Sequence, residues 1–191
     1  YMEKIAIGSN LPRNLLDIDN GVEKNIKILA EAKNKKVSEL KACILKRPRH
    51  DHIVEILSKL NVKINFISDG DIAGVLSVIG NEPKNDIYYS IGGGPEGVLA
   101  ASALSCFGGQ IQGRLVLNDE EKIRAKKLGI EDFNKKSYAK TFNDSFWVLG
   151  QGVITLNTID NELNFGSQLS KEEAKKLVTT ITKFLSKLKS I

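Results

Sequence analysis

Between residues 40 and 128 the chain alternates short apolar runs with stretches of helical periodicity, and almost nothing interrupts the pattern. Residues 41–45 read as a strand, and 51–60 as a helix with Ile53, Ile56, Leu57 and Leu60 on one face. A β-branched strand at 62–67 precedes a helix at 72–79. A strand at 86–91 precedes an Ala-rich helix at 96–107, stopped by Gly108-Gly109. A fourth strand at 110–117 leads to a helix capped by Asp119 and reaching residue 128. Strands separated by helices must cross over, and crossovers are right-handed, so the pattern predicts an α/β sandwich with a largely parallel sheet.

Such a sheet gathers chemistry at one edge, because ligands of open α/β sheets bind beyond the carboxyl ends of the strands. Three successive strand ends carry unusual residues there. Arg47-Pro48-Arg49 supplies paired cationic donors with a rigid residue between them, suited to gripping a phosphate. Asp69-Gly70-Asp71 sets two acids around a glycine, suited to sugar hydroxyls or a hard cation. Gly92-Gly93-Gly94-Pro95-Glu96 offers main-chain N–H groups to an anion, with Glu96 within reach of a metal beside it. Plainer readings stand next to these. The arginines could be surface residues ahead of a helix, Asp71 an N-cap, and Glu96 an acid welcome at a helix start. His50 and His52 read as helix-start residues, with His50 placed to line the pocket. Together the three turns suggest a phosphorylated, polyhydroxylated ligand.

The remaining features narrow the class. The formal net charge is +5, but the lysines of 31–36, 119–127 and 171–189 alternate with acids, as on solvated helix faces, so no nucleic-acid partner is expected. No apolar run approaches the ~20 residues of a membrane span, and a cytoplasmic protein is expected. Cys43 and Cys106 lie in apolar surroundings without a CxxC pair and read as buried thiols. No nucleophile-plus-base pattern appears, and the acids are too few for a complete two-metal centre. The visible site looks like half of one. Residues 1–135 read as the binding domain. Residues 136–191 read as an extension packed on it, with edge strands or a hairpin between 134 and 166. A helix with a Ser170–Glu173 capping box and one apolar stripe closes the chain. A helix at 19–32 turns Val22, Ile26, Leu29 and Ala30 inward.

At these segments the sequence resembles the class II fructose-1,6-bisphosphatases, many of which also act on sedoheptulose-1,7-bisphosphate. The matching residues are Tyr1-Met2-Glu3-Lys4-Ile5-Ala6, Arg47-Pro48-Arg49-His50, 67–74, Ile91-Gly92-Gly93, Pro95-Glu96-Gly97-Val98, Gly108-Gly109 and Gln112-Gly113-Arg114-Leu115. The resemblance implies a sugar-phosphatase-like domain in which Tyr1, Arg47, Pro48, Arg49, Asp69, Gly70, Asp71 and Gly93 contact a sugar bisphosphate. It implies Glu96 as a ligand to Mn²⁺ or Mg²⁺, and hydrolysis of the 1-phosphate of fructose 1,6-bisphosphate, as in gluconeogenesis and glycerol metabolism. Family members carry an upstream portion with the other metal-binding acids and the catalytic threonine. An upstream partner polypeptide or half, a homo-oligomer, and inactivity of these residues alone are therefore expected. Lys46 stands where an acid is usual, Gly94 replaces a different small residue, and the family's Thr-Gly-Val-Thr-Asp-Gly-like segment is not recognisable within 148–156. A non-catalytic sugar-phosphate-binding or regulatory relative is the alternative.

Overall fold

In a computed structural model the chain divides into two compact units, Tyr1–Ala139 and Lys140–Ile191. The residues described are 1–127 and 129–138, together with the backbone of 147–150, 153–158 and 161–165. The amphipathic helix expected over 170–191, and Phe146, lie outside them.

Strands β1 (Met2–Ile7), β2 (Lys41–Leu45), β3 (Lys63–Ile67), β4 (Ile87–Gly92), β5 (Gln110–Leu115) and β6 (Lys136–Tyr138) form one sheet in the order β3-β2-β4-β1-β5-β6. The helices are α1 (Gly21–Ala32), α2 (Asp51–Lys59), α3 (Asp71–Leu76), α4 (Gly94–Ser105) and α5 (Asp119–Lys127). The expected strands all run the same way. β2 pairs in parallel with β3 and β4, and β5 shares the direction of β4 because both are antiparallel to β1 between them. That central strand lies outside the helix–strand alternation read between residues 40 and 128. Its sequence Met-Glu-Lys-Ile-Ala-Ile is buried from Lys4 onward, as a strand covered on both faces must be. β6 closes the far edge, antiparallel to β5.

The two faces carry separate cores. One joins Ile5, Ile44, Ile87 and Tyr89 of the sheet to Ile26 and Leu29 of α1 and Ile53 and Leu57 of α2. The other joins Ala6, Cys43, Tyr88 and Ile111 to Val75 of α3 and Ala100 and Leu104 of α4. Helices on both faces of a mixed sheet make a layered α/β sandwich, as expected. Each large apolar side chain buried in these cores stabilises the fold by about 1.5–3 kcal/mol. Cys43 is buried, and burial pushes its thiol pKa up despite a hydrogen bond with Ser77.

Two boundaries differ from expectation for identifiable reasons. The α5 cap is Asn118, one residue early: its Oδ1 accepts from the Glu121 N–H at 2.8 Å, and Glu121 accepts from the Asn118 N–H at 2.9 Å. This reciprocal pair is a capping box, and Asp119 sits inside the first turn. α3 stops at Leu76, short of 79, where the Ser77 hydroxyl turns back to donate to the Gly74 carbonyl at 2.6 Å. In the second unit β7 (Trp147–Gly150), β8 (Val153–Thr158) and β9 (Asn161–Phe165) form an antiparallel meander of their own.

Candidate functional site

Because β2 lies between β3 and β4 and all three are parallel, the turns that leave their carboxyl ends are neighbours. β1 runs the opposite way, so its first residues reach the same edge, with Met2 opposite Gly92 and Leu115. The topology thereby brings Tyr1, Arg47-Pro48-Arg49, Asp69-Gly70-Asp71 and Gly93–Glu96 to one place.

The first turn is built by a histidine. The β2–β4 ladder ends at Ile44–Tyr89, and beyond it the His50 ring bridges the two strands. Its Nδ1–H donates to the Leu45 carbonyl at 2.7 Å and its Nε2 accepts from the Ile91 N–H at 2.8 Å. The ring is fully buried with both nitrogens engaged. His50 therefore does not line the pocket as expected; it fixes where the arginines emerge. Arg49 Nε donates to the Ile91 carbonyl, and its guanidinium lies 4.9 Å from the centroid of the Tyr1 ring. That stacking is a cation–π contact and places the exposed Tyr1 ring on this edge. Arg47 is half-buried and gives one Nη to the Lys46 carbonyl at 2.9 Å.

The two aspartates of the second turn have different surroundings. Asp69 is exposed. Gly70, with φ +93°, is the residue that caps α3, in a left-handed conformation that glycine adopts without strain. Asp71 is not the cap. It is buried, with Oδ2 accepting from Lys4 Nζ at 2.6 Å and Oδ1 accepting from Ser90 Oγ at 2.7 Å and from the Tyr88 hydroxyl. Burial opposes its ionisation, but the bonds from Lys4, Tyr88 and Ser90 outweigh it and hold the carboxyl below the ordinary aspartate value. Burial, then the bond to Asp71, pushes the Tyr88 phenol far up.

The third turn's glycines divide the work. A Cβ on Gly92 would lie 2.5 Å from Asp71 Oδ2. One on Gly93 would collide with the Glu96 carboxylate, which folds back over that residue. One on Gly94 meets nothing within 4 Å. Glu96 itself is exposed in the first turn of α4.

What faces outward at this edge is two guanidinium groups, the Asp69 and Glu96 carboxylates, the Tyr1 ring and the first turn of α4. That set matches an anion carrying hydroxyl groups. Among the described residues no three His, Cys, Asp or Glu side chains are grouped to hold a metal ion. Glu96 offers a single carboxylate, so the residues present do not by themselves fit a divalent-cation site. The sequence reading missed Lys4, Tyr88 and Ser90. The available signal was a lysine at an interior position of a strand whose following residues, Ile5 to Ile7, are apolar.

Fold and edge together define an α/β protein that gathers two arginines, two exposed carboxylates and the Tyr1 ring at its strand tips. Residues 1–153 match the family described as bacterial fructose-1,6-bisphosphatase, glpX-encoded. A class 2 fructose-1,6-bisphosphatase of Haemophilus influenzae is 38% identical over 122 residues, 64% of this chain and 36% of that protein. Fructose-1,6-bisphosphatase 1 class 2 of Escherichia coli K12 is 32% identical over 145 residues, 69% of this chain and 43% of that protein. The chain thus spans less than half the length of these curated relatives. It belongs to the glpX-type bacterial fructose-1,6-bisphosphatase family. No helix among the described residues is long and apolar enough to cross a membrane.

Proposed function

We propose that this chain is the sugar-bisphosphate-binding portion of a phosphoric monoester hydrolase that removes the 1-phosphate of fructose 1,6-bisphosphate. The observation that carries the reading is the meeting of three strand-end turns with Tyr1 at one sheet edge. Arg47 and Arg49 hold phosphate, with Pro48 fixing the chain between them and Tyr1 bracing Arg49. Asp69 accepts from the sugar hydroxyls. The Gly93 turn gives the ligand a close approach to main chain, and Gly70 sets the turn from which Asp69 projects. Asp71 acts from behind, as the anchor of its turn. Glu96 is the residue that would hold Mn²⁺ or Mg²⁺ here, together with donors from outside the described residues. The chemistry such a metal supplies is polarisation of the phosphoryl group; this chain's own share is binding and orientation.

The second reading is a sugar-phosphate-binding module without catalysis, and the observation in its favour is the lack of a metal-holding cluster among the described residues. Calorimetry of the 191-residue chain with fructose 1,6-bisphosphate, with and without Mn²⁺, separates the two. Binding strengthened by Mn²⁺ supports the hydrolase reading, and tight binding indifferent to metal supports the module. The same chain assayed for phosphate release should be inactive; metal-dependent release would overturn the assignment of the remaining ligands to another segment.

A further inference from the structure

We propose that Lys4 is a positioning residue for this site, holding the Asp69–Asp71 turn and the Gly93–Glu96 turn at one fixed separation. The inference deepens the sugar-bisphosphate reading and rests on it. The Lys4 side chain is 0% exposed, and its ammonium donates to Asp71 Oδ2 at 2.6 Å and to the Gly93 carbonyl at 2.9 Å. One atom therefore touches both turns. It comes from a third element, since β1 is neither of the strands from which those turns leave.

Each end of this link is held firmly. The second Asp71 oxygen is taken by Tyr88 and Ser90, both on β4. Asp71 cannot follow Lys4 if the lysine moves. The Gly93 carbonyl also accepts the Gly97 N–H of α4, at 3.3 Å, so fixing that carbonyl fixes the start of the helix carrying Glu96. The surrounding glycines make room for the pair. A Cβ on Gly97 would come within 2.9 Å of Lys4 Cδ and 3.1 Å of Met2 Sδ, and one on Gly92 would press on Asp71. Gly92, within the segment that reads as a phosphate cradle, and Gly97 just after it thus make room for a buried ion pair.

Stability alone gives little reason to keep such a pair, because packed apolar residues of similar volume usually do as well or better. What an ammonium adds is direction: two acceptors at set angles, in a place where an apolar stem would hold neither. Chain placement of this kind matters to a site that orients a reacting ligand, where a displacement near 1 Å can cost about 100-fold in rate.

The test uses the 191-residue chain and the double variant Lys4→Met/Asp71→Asn, which leaves no unpaired buried charge. Leu57→Ala, in the opposite helix layer, is the control for lost stability. Each is titrated with fructose 1,6-bisphosphate at a temperature where circular dichroism shows it folded, and amide exchange is followed at Gly97 and Gly74. The double variant should bind about tenfold more weakly, as for one lost hydrogen bond to a charged ligand, and exchange faster at Gly97, while the folded control binds as wild type does. Wild-type affinity in the double variant, or unchanged Gly97 exchange, would overturn the proposal. If wild type itself binds no sugar bisphosphate, the ligand assignment fails, and the exchange result still decides the role of Lys4.

Discussion

Replacing Asp71 by Ala should damage the fold, and replacing Asp69 by Ala should damage the ligand site. The two acids sit one residue apart from each other across Gly70, yet Asp71 is 8% exposed and Asp69 faces solvent. Asp71→Ala strips the counter-ion from an ammonium that has no access to water. Removing one partner of a buried ion pair costs about 3–5 kcal/mol. The Tyr88 and Ser90 hydroxyls lose an acceptor as well, which adds about 1 kcal/mol or more for each group left unsatisfied. A domain of ordinary stability has only about 5–15 kcal/mol to lose, so a midpoint drop of about 10 °C or more is expected. Asp69→Ala should stay within about 0.5 kcal/mol of wild type, as exposed substitutions do, while sugar-bisphosphate affinity falls about tenfold or more for the lost charged hydrogen bond. Urea unfolding followed by circular dichroism gives the stabilities, and calorimetry gives the affinities. Equal stability losses for the two variants, within about 1 kcal/mol, would refute the division into anchor and ligand.

Two further outcomes follow from the same geometry. Gly92→Ala presses a methyl against the pinned Asp71 carboxylate and should cost about 1–3 kcal/mol, whereas Gly94→Ala opens onto space and should stabilise by about 0.4–1 kcal/mol through the unfolded chain; denaturant midpoints read both, and a Gly92 variant as stable as wild type would contradict the crowding. Acid should unfold the protein partly through Asp71 and Asp86. Burial opposes ionisation in each, but the bonds from Lys4, Tyr88 and Ser90, and from Lys33, Lys35 and the Lys41 N–H, hold both carboxyls below the ordinary 3.8. A folded pKa below the unfolded one means that stability is fully present above the unfolded value and is lost as pH falls through the folded one. The free energy of unfolding should therefore decline below about pH 4 to 5, and less steeply in Asp71→Asn; an unchanged slope in that variant would show that Asp71 does not contribute.

The parallel strands and their tips were legible because each has a local signature: β-branched runs, a proline between arginines, and acids beside glycines at points where periodicity changes from 2 to 3.6. The central strand was not, because β1 owes its place to pairing with β4 and β5, residues eighty or more positions away in sequence. The same non-local pairing hid the inside of the site. Asp69 and Asp71 look equivalent in a linear reading, and only the fold turns one toward Lys4 and leaves the other in water. His50 shows the converse. An imidazole beside two arginines reads as pocket chemistry, but both its nitrogens are committed to Leu45 and Ile91, where the β2–β4 ladder has already ended. The chemistry at this edge is therefore carried by residues whose types are visible in sequence, and its geometry by residues that are not. Lys4, Tyr88, Ser90 and His50 hold the turns from beneath, and each is buried by contacts that span 5 to 89 positions of the chain. A site of this kind tolerates changes in its exposed residues with loss of binding alone. Changes beneath it alter binding and stability together, and the neutralised Lys4–Asp71 pair is where those two effects can be pulled apart.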